Sequence, residues 1–377
     1  MIEYVDVRRA ADLCWRLVNI PSPTREEKAV AEVFGEVLGE FAEVKLDYEF
    51  PESPTVVARL KLGRGGKVLQ LDGHLDHIAV AHEPPVRTEE EIVARGACDM
   101  KSGLAAMAEA GRVLAEYRAG LDGTLLLTAH GLHEAPLGFN GPVYDMIRKG
   151  YLGDAVIVCE GAYKNVPVAG MGMAIYEVEF TRDGEAVHEN QGGDTPNPLV
   201  PAGRFAGEVL SKRRFGEEDP YLGRESWFLG EIKGGDFYNR VPVSVHLEGT
   251  RRWHPEQTPE DIEAEIRSLV ESQLIPEVRS KVGFKLVGRG WRTDPDSELI
   301  HAVQAGWQAV GIDAPVVGTR SITNTEIFSN EGKIPATGAS ADNATAHGDV
   351  ERVRIADIET LAKVLVASAV AYFGSGV

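Results

Sequence analysis

Histidines and carboxylates in this chain gather at five places where an apolar run gives way to a loop. The first is Gly73-His74-Leu75-Asp76. Two residues apart on an extended segment, His74 and Asp76 point to the same side, so the imidazole can bind a cation while the carboxylate orients it. A polar strand end is the competing reading. The second is Asp99, in the loop Gly96-Ala97-Cys98-Asp99-Met100-Lys101, placed either to bridge two metal ions or to cap the Ala-rich helix that follows. The third is His130-Gly131-Leu132-His133-Glu134, between an apolar strand and a glycine turn, where α/β proteins place ligands. Glu160 is the fourth. It ends the run Ala155-Val156-Ile157-Val158-Cys159, and a carboxylate there is costly unless paired or metal-bound. The fifth is His347, close to the other end of the chain. Together they offer histidines and carboxylates at successive strand-to-loop junctions, a set that suits a pair of zinc-like ions with an open position for water.

Positioning these residues requires an α/β layer. Apolar spacing predicts a helix over 10–20, and Thr24 with Glu27 makes a capping-box pattern that starts a second helix running to about residue 41. Short apolar runs at 55–62, 67–71, 123–129 and 155–159 read as strands, with a helix over 100–117 between the second and third. Strands alternating with helices predict a mostly parallel sheet covered on both faces, an α/β/α catalytic domain. The pattern changes near residue 170. Alternating runs at 174–181, 241–249 and 283–287, with helices over 201–212 and 259–274, predict an inserted α+β domain, ferredoxin-like with a four-stranded antiparallel sheet. Helices at 297–310 and 355–373 return to the first pattern. The expected domains are therefore 1–169 with 289–377, discontinuous in sequence, and an inserted 170–288.

The chain has 377 residues, enough for about two domains at the usual size. With 39 Lys+Arg against 58 Asp+Glu its formal charge is −19. That charge disfavours nucleic acid and anionic membrane as partners, and leaves room for a small anion held by local arginines. Cys14, Cys98 and Cys159 form no CxxC pair and read as free thiols in a reducing, cytoplasmic setting. No apolar run approaches the ~20 residues of a membrane span. The first residues read as mature protein rather than a signal peptide. No glycine fingerprint for a nucleotide follows an early strand.

The ordered set Gly73-His74-Leu75-Asp76, Gly96 to Lys101, His133-Glu134, Glu160 and Ala346-His347 resembles the superfamily of aminoacylase, carboxypeptidase G and succinyl-diaminopimelate desuccinylase, the co-catalytic zinc amidohydrolases. The resemblance covers nearly the whole chain. It implies two divalent metal ions, zinc or alternatively cobalt or manganese. One would be held by His74, Asp99 and Glu160, the other by Asp99, Glu134 and His347, with Asp76 behind His74. In the insertion, His188 matches the family's lid histidine, Asn239 its Asn-x-x-Pro segment and Arg252 the arginine that grips a substrate carboxylate. The likeness also implies a homodimer through the lid domain.

One position departs from the pattern. Where the family has a Glu-Glu pair, base then ligand, this chain has His133-Glu134. In the direct alignment, which places Gly138 at the family's turn glycine, Glu134 is the ligand and His133 stands as the base. In a shifted alignment Glu134 is the base, and His133 or His130 supplies the ligand. The expected function is metal-dependent hydrolysis, by a metal-activated water, of an amide bond next to a free carboxylate in an N-acyl amino acid or small peptide. The alternative is a metal-containing binding or regulatory protein with a weakened active site.

Overall fold

The computed structural model describes residues 1–118, 120–134, 138 and 140–374. They divide into two compact units: Met1–Val168 with Thr293–Val317 and Thr323–Val377, and Ala169–Arg292 with Gly318–Ile322.

The first unit opens with α1 (Val7–Val18), whose N-terminus is capped by the Asp6 carboxylate accepting from the N–H groups of Arg8 and Arg9, and whose Ala10, Ala11, Cys14, Leu17 and Val18 are buried. Next come α2 (Lys28–Gly39), β1 (Glu43–Asp47), β2 (Thr55–Lys61), β3 (Val68–His74), α3 (Ser102–Glu116), β4 (Thr124–His130), α4 (Gly141–Arg148) and β5 (Ala155–Val158). In the second unit lie β6 (Gly172–Arg182), α5 (Leu199–Ser211), β7 (Phe215–Asp219), β8 (Gly223–Gly234), β9 (Ser244–Trp253), α6 (Pro259–Gln273) and β10 (Val278–Gly288). The chain returns to the first unit with α7 (Glu298–Ala309), α8 (Thr325–Asn330), β11 (Ala336–Gly338) and α9 (Ile355–Gly374).

Six strands form the first unit's sheet in the order β1-β2-β4-β3-β5-β11. The β4/β3, β3/β5 and β5/β11 pairs are parallel, whereas β1/β2 and β2/β4 are antiparallel. β3, β4 and β5 are almost wholly buried, as strands covered on both faces must be. One face meets α3 and the loop before it, where Met100 and Leu104 lie against Gly73 and Gly111 faces Leu127. On the other, Val156 and Val158 pack with Val143, Met146, Ile327 and Phe328 of α4 and α8. The parallel strands all end toward the same side, and that side receives the chemistry.

The expected capping box at Thr24 and Glu27 is absent. Helix α2 starts at Lys28 with no side-chain cap. Thr24 instead donates to Asp76, and Glu27 accepts from the N–H groups of Leu132 and Arg25. Both side chains are spent on the site's loops rather than on the helix end.

The second unit's antiparallel sheet runs β7-β8-β9-β6-β10. Its four long strands have the ferredoxin-like order, and β7 adds a short fifth strand at the edge. Helices α5 and α6 cover one face over a core that includes Tyr176, Phe180, Phe205, Trp227 and Trp253. Thr258 and Asp261 form a reciprocal capping box at the start of α6. Met171 N–H donates to Thr319 O, which ties the short return Gly318–Ile322 to this unit. No helix among the described residues is long and apolar enough to cross a membrane.

Candidate metal centre

His74 is the last residue of β3, and its imidazole is fully buried. Its Nε2 lies 3.1 Å from Asp99 Oδ1, and its Nδ1 lies 3.0 Å from Asp76 O and 3.5 Å from Asp76 Oδ1. The Asp76 carboxylate serves a second purpose. Its Oδ2 accepts from Thr24 Oγ1 at 2.8 Å, His133 N at 3.0 Å and Glu134 N at 2.9 Å, so it holds the next loop by the backbone. Burial pushes this carboxyl up, but the hydrogen bond and charge of His74, the charge of His133 and the N–H of Glu134 outweigh it and leave Asp76 well below the usual carboxylate range.

Asp99 does not cap the helix. Helix α3 begins beyond it, at Ser102, and Asp99 has non-helical dihedrals with a cis peptide bond to Met100. The loop is held from the far end of the chain by Glu351, whose fully buried carboxylate accepts from the N–H groups of Gly96, Cys98 and Asp99 and from Arg95 Nη1. With its backbone occupied in this way, Asp99 presents its side chain to both histidines. His347 Nε2 lies 3.3 Å from Asp99 Oδ2 and 3.2 Å from Glu134 Oε2. The hydrogen bond to Asp99 is the main cause that raises His347 to about 9, and the Glu134 charge adds to it. Burial pushes Asp99 up, but His347 and His74 hold it well below its ordinary value.

Glu160 follows β5 directly after Cys159. Burial, reinforced by the Asp99 charge, pushes its carboxyl up to about 8. His133 Nε2 is 3.8 Å from Glu160 Oε2, and its ring stacks on His74 with centroids 4.3 Å apart. Burial lowers the His133 imidazole, and the neighbouring His74 charge lowers it further.

These residues fit divalent cations. The carboxylates Asp99, Glu134 and Glu160 converge, and their ion-pair partners among the described residues are histidines alone. Glu160 Oε2 is buried without a hydrogen-bond partner. Potential ligand atoms of His74, Asp99 and Glu134 lie within 4.8 Å of one another, as do those of His74, His133 and Glu160. Oxygen and imidazole donors without thiolate suit a zinc-class ion.

All seven residues expected at the centre, His74, Asp76, Asp99, His133, Glu134, Glu160 and His347, thus come together in the first unit. His188, Asn239 and Arg252 lie in the second. His188 Nε2 and Asn239 Nδ2 are 3.0 Å apart; His188 is exposed and Asn239 half-buried. Arg252 is half-buried near the end of β9 and donates to Arg320 O. Sequence reasoning missed Thr24, Glu27, Asn140, Asn324 and Glu351 around the centre, and Arg320 beside Arg252. Thr24 and Glu27 carried a pattern that read as a helix cap, and Glu351 is an acidic residue four positions beyond His347; the others carried no local signal.

Residues 71–371 match the family described as peptidase family M20/M25/M40. Among curated proteins, the chain is 25% identical over 297 residues to a succinyl-diaminopimelate desuccinylase of Sulfurovum sp. (strain NBC37-1), covering 78% of each chain. Among solved structures it is similar to the aminopeptidase PepT from Bacillus cereus ATCC 10987, with a TM-score of 0.82, 17% identity and coverage of 98% of this chain and 99% of that one. It is also similar to the YXEP protein of Bacillus subtilis, described as a dinuclear metal binding peptidase, with a TM-score of 0.73, 14% identity and coverage of 97% and 98%. With the family match spanning most of its length and the candidate ligands gathered in the first unit, the chain belongs to peptidase family M20/M25/M40, the metal-dependent amide hydrolases.

Proposed function

We propose that this hydrolase cleaves an amide bond next to a free carboxylate, in an N-acyl amino acid, with N-succinyl among the acyl groups, or in a small peptide. The observation that carries the reading is the convergence of five cation-ligand candidates, His74, Glu134 and Glu160 at the ends of β3, β4 and β5, Asp99 in the loop before α3 and His347 from the loop after β11, with His133 Nε2 turned toward Glu160. His74, Asp99 and Glu160 would hold one cation, and Asp99, Glu134 and His347 the other, with zinc the expected metal and cobalt or manganese the alternatives. When bound, such ions supply the positive charge that polarises a scissile carbonyl and makes water acidic. The remaining work belongs to side chains. Asp76 fixes the ring of His74 and the backbone at 133 and 134. His133 accepts the proton of the attacking water at Nε2 and returns it to the leaving amine. Glu134 is already engaged by His347, which leaves His133 as the member of the pair with a nitrogen to spare. His188, Asn239 and Arg252 are proposed as substrate contacts. Arg252 suits a carboxylate because the polar partner its guanidinium has is a carbonyl oxygen, not an acid.

A second reading has its own support, since His133 lies within ligand range of His74 and Glu160. In it His133 is a ligand and Glu134 the base. The inserted segment 170–288 is proposed as a lid and dimer domain on the strength of the resemblance. Three buried free cysteines support work in a reducing cytoplasm.

The test combines elemental analysis of bound metal with release of free amine from N-acyl amino acids and dipeptides. We expect about two divalent ions per chain and turnover, with His133→Ala losing about 10²–10⁴-fold in kcat at unchanged metal content. Turnover that survives His133→Ala with metal intact removes His133 as the base. Loss of metal in that variant favours the second reading. A chain that takes up no zinc, cobalt or manganese overturns the proposal.

A further inference from the structure

Where the resemblance implies a glutamate, this chain has His133, and the structure surrounds that ring with amides. His133 Nδ1 lies 3.1 Å from Asn140 Oδ1 and 3.2 Å from Asn324 Oδ1. Amide oxygens only accept, so two of them on one ring nitrogen mean that Nδ1 carries the hydrogen. Nε2 is then the lone-pair nitrogen, and it is the one facing Glu160.

Asn324 is only 1% exposed, and the other end of its amide is also engaged: Nδ2 lies 3.1 Å from Nε2 of the fully buried His130. The same His130 nitrogen is 3.2 Å from Asp72 Oδ2, and Asp72 Oδ1 accepts from Thr128 Oγ1 at 2.5 Å. An amide has one accepting and one donating end. Turning Asn324 over would reverse what both rings receive, so the two histidines cannot choose their ring hydrogens independently. Packing alone would hold the plane of the His133 ring but would not distinguish its nitrogens.

We propose that Asn324 is a positioning residue that bridges His133 to the buried His130, whose Nε2 then accepts from Asn324 Nδ2 rather than donating to Asp72 and whose hydrogen is on Nδ1, and that it fixes the neutral His133 ring with its hydrogen on Nδ1 and a bare Nε2 toward the metal ligands. The ring's charge does not change; only the location of its hydrogen is set. The inference deepens the reading of His133 as proton acceptor and rests on it for its catalytic consequence. Its test needs neither turnover nor metal.

The metal-free protein, labelled with ring-15N histidine, is observed by long-range proton–nitrogen spectra under conditions where the imidazole is neutral, with His133→Gln and His130→Gln assigning the two rings. In the wild type, His133 Nδ1 falls in the protonated-nitrogen region and Nε2 in the unprotonated region. In Asn324→Leu the two shifts move toward each other as tautomers mix. Should that variant fail to fold, the His130→Gln protein serves instead: glutamine accepts either orientation of Asn324, and the same convergence is expected at His133. A wild-type ring with a bare Nδ1 and a protonated Nε2 overturns the proposal, as does an unchanged tautomer in a folded variant. An inactive protein that shows the expected nitrogen pattern removes the functional reading and leaves this inference standing. An active protein with the opposite pattern does the reverse.

Discussion

Glu160 shows what burial of a carboxylate oxygen without a hydrogen-bond partner does to the chain that carries it. In the metal-free protein, burial raises its carboxyl from an ordinary 4.5 to about 8. Between those values the folded state holds a proton that the unfolded state has released, so stability falls as pH rises through that window. His347 acts in the same sense. Raised from 6.5 to about 9, it contributes stability that is fully present below 6.5 and is lost as pH climbs through 9. Asp76 and Asp99, held below their ordinary 3.8, contribute stability above that value that is lost only in stronger acid. The metal-free protein should therefore show a urea midpoint that declines between about pH 5 and 8, and Glu160→Gln, which has no proton to lose, should flatten that decline. Equal slopes in the two proteins would show that burial at 160 is not the cause. The candidate ligands were legible in the sequence because a zinc-class ion draws on few residue types, and because a charged residue ending an apolar strand stands out. Asn324 and Asn140 were not. Asparagine is ordinary in loops, and the hydrogen bond from Asn324 to His130 joins residues 194 positions apart.

At the scale of elements, the centre depends on how closely α3 approaches the end of β5. A Cβ added at Gly103 would sit 2.5 Å from Cys159 O, the backbone immediately before Glu160, and 2.8 Å from Met100 Cε, immediately after Asp99. Alanine is worth about 1 kcal/mol over glycine within a helix. Here the backbone contact cannot yield as a side chain would, and overpacking costs about 1–3 kcal/mol. Gly103→Ala is expected to lower stability despite the better helix former, and to weaken metal binding by moving Asp99 and Glu160 apart. Thermal melts and zinc titrations check both effects, and a variant as stable as wild type with unchanged zinc affinity would refute the close fit. The sequence showed that this helix and these strands exist, but not how near they come. Periodicity reports which face is buried, whereas distance depends on packing. The same limit explains the unlocated β8, Gly223–Gly234, whose second half mixes Leu229 and the exposed Ile232 with Gly, Glu and Lys and so carries little alternation. Strand β7 and the return Gly318–Ile322 left no pattern because their placement comes from pairing across the sheet and from single backbone hydrogen bonds.

Across the whole molecule, the candidate ligands come from well-separated stretches, at residues 74, 99, 134, 160 and 347, and all belong to the first unit. Two consequences follow for a chain of net charge −19. Without cations the first unit must keep three carboxylates together, at a cost that protonation of Glu160 and His347 only partly relieves. With them, segments more than 270 positions apart would be joined through shared candidate ligands that the unfolded chain cannot assemble. A ligand that binds only the folded state at 1,000 times its Kd stabilises by about 4 kcal/mol. At roughly 2–4 °C per kcal/mol for a unit of this size, chelation should lower the melting temperature by about 10 °C. The second unit has its own core around Trp227 and Trp253 and contributes none of the five candidate ligands. In scanning calorimetry of chelated and zinc-restored protein, the transition of the first unit should therefore move down and return, while a transition belonging to the second stays in place. A melt that neither chelation nor returned zinc displaces would mean that the clustered carboxylates are stable without cations, and the metal centre would lose its thermodynamic support.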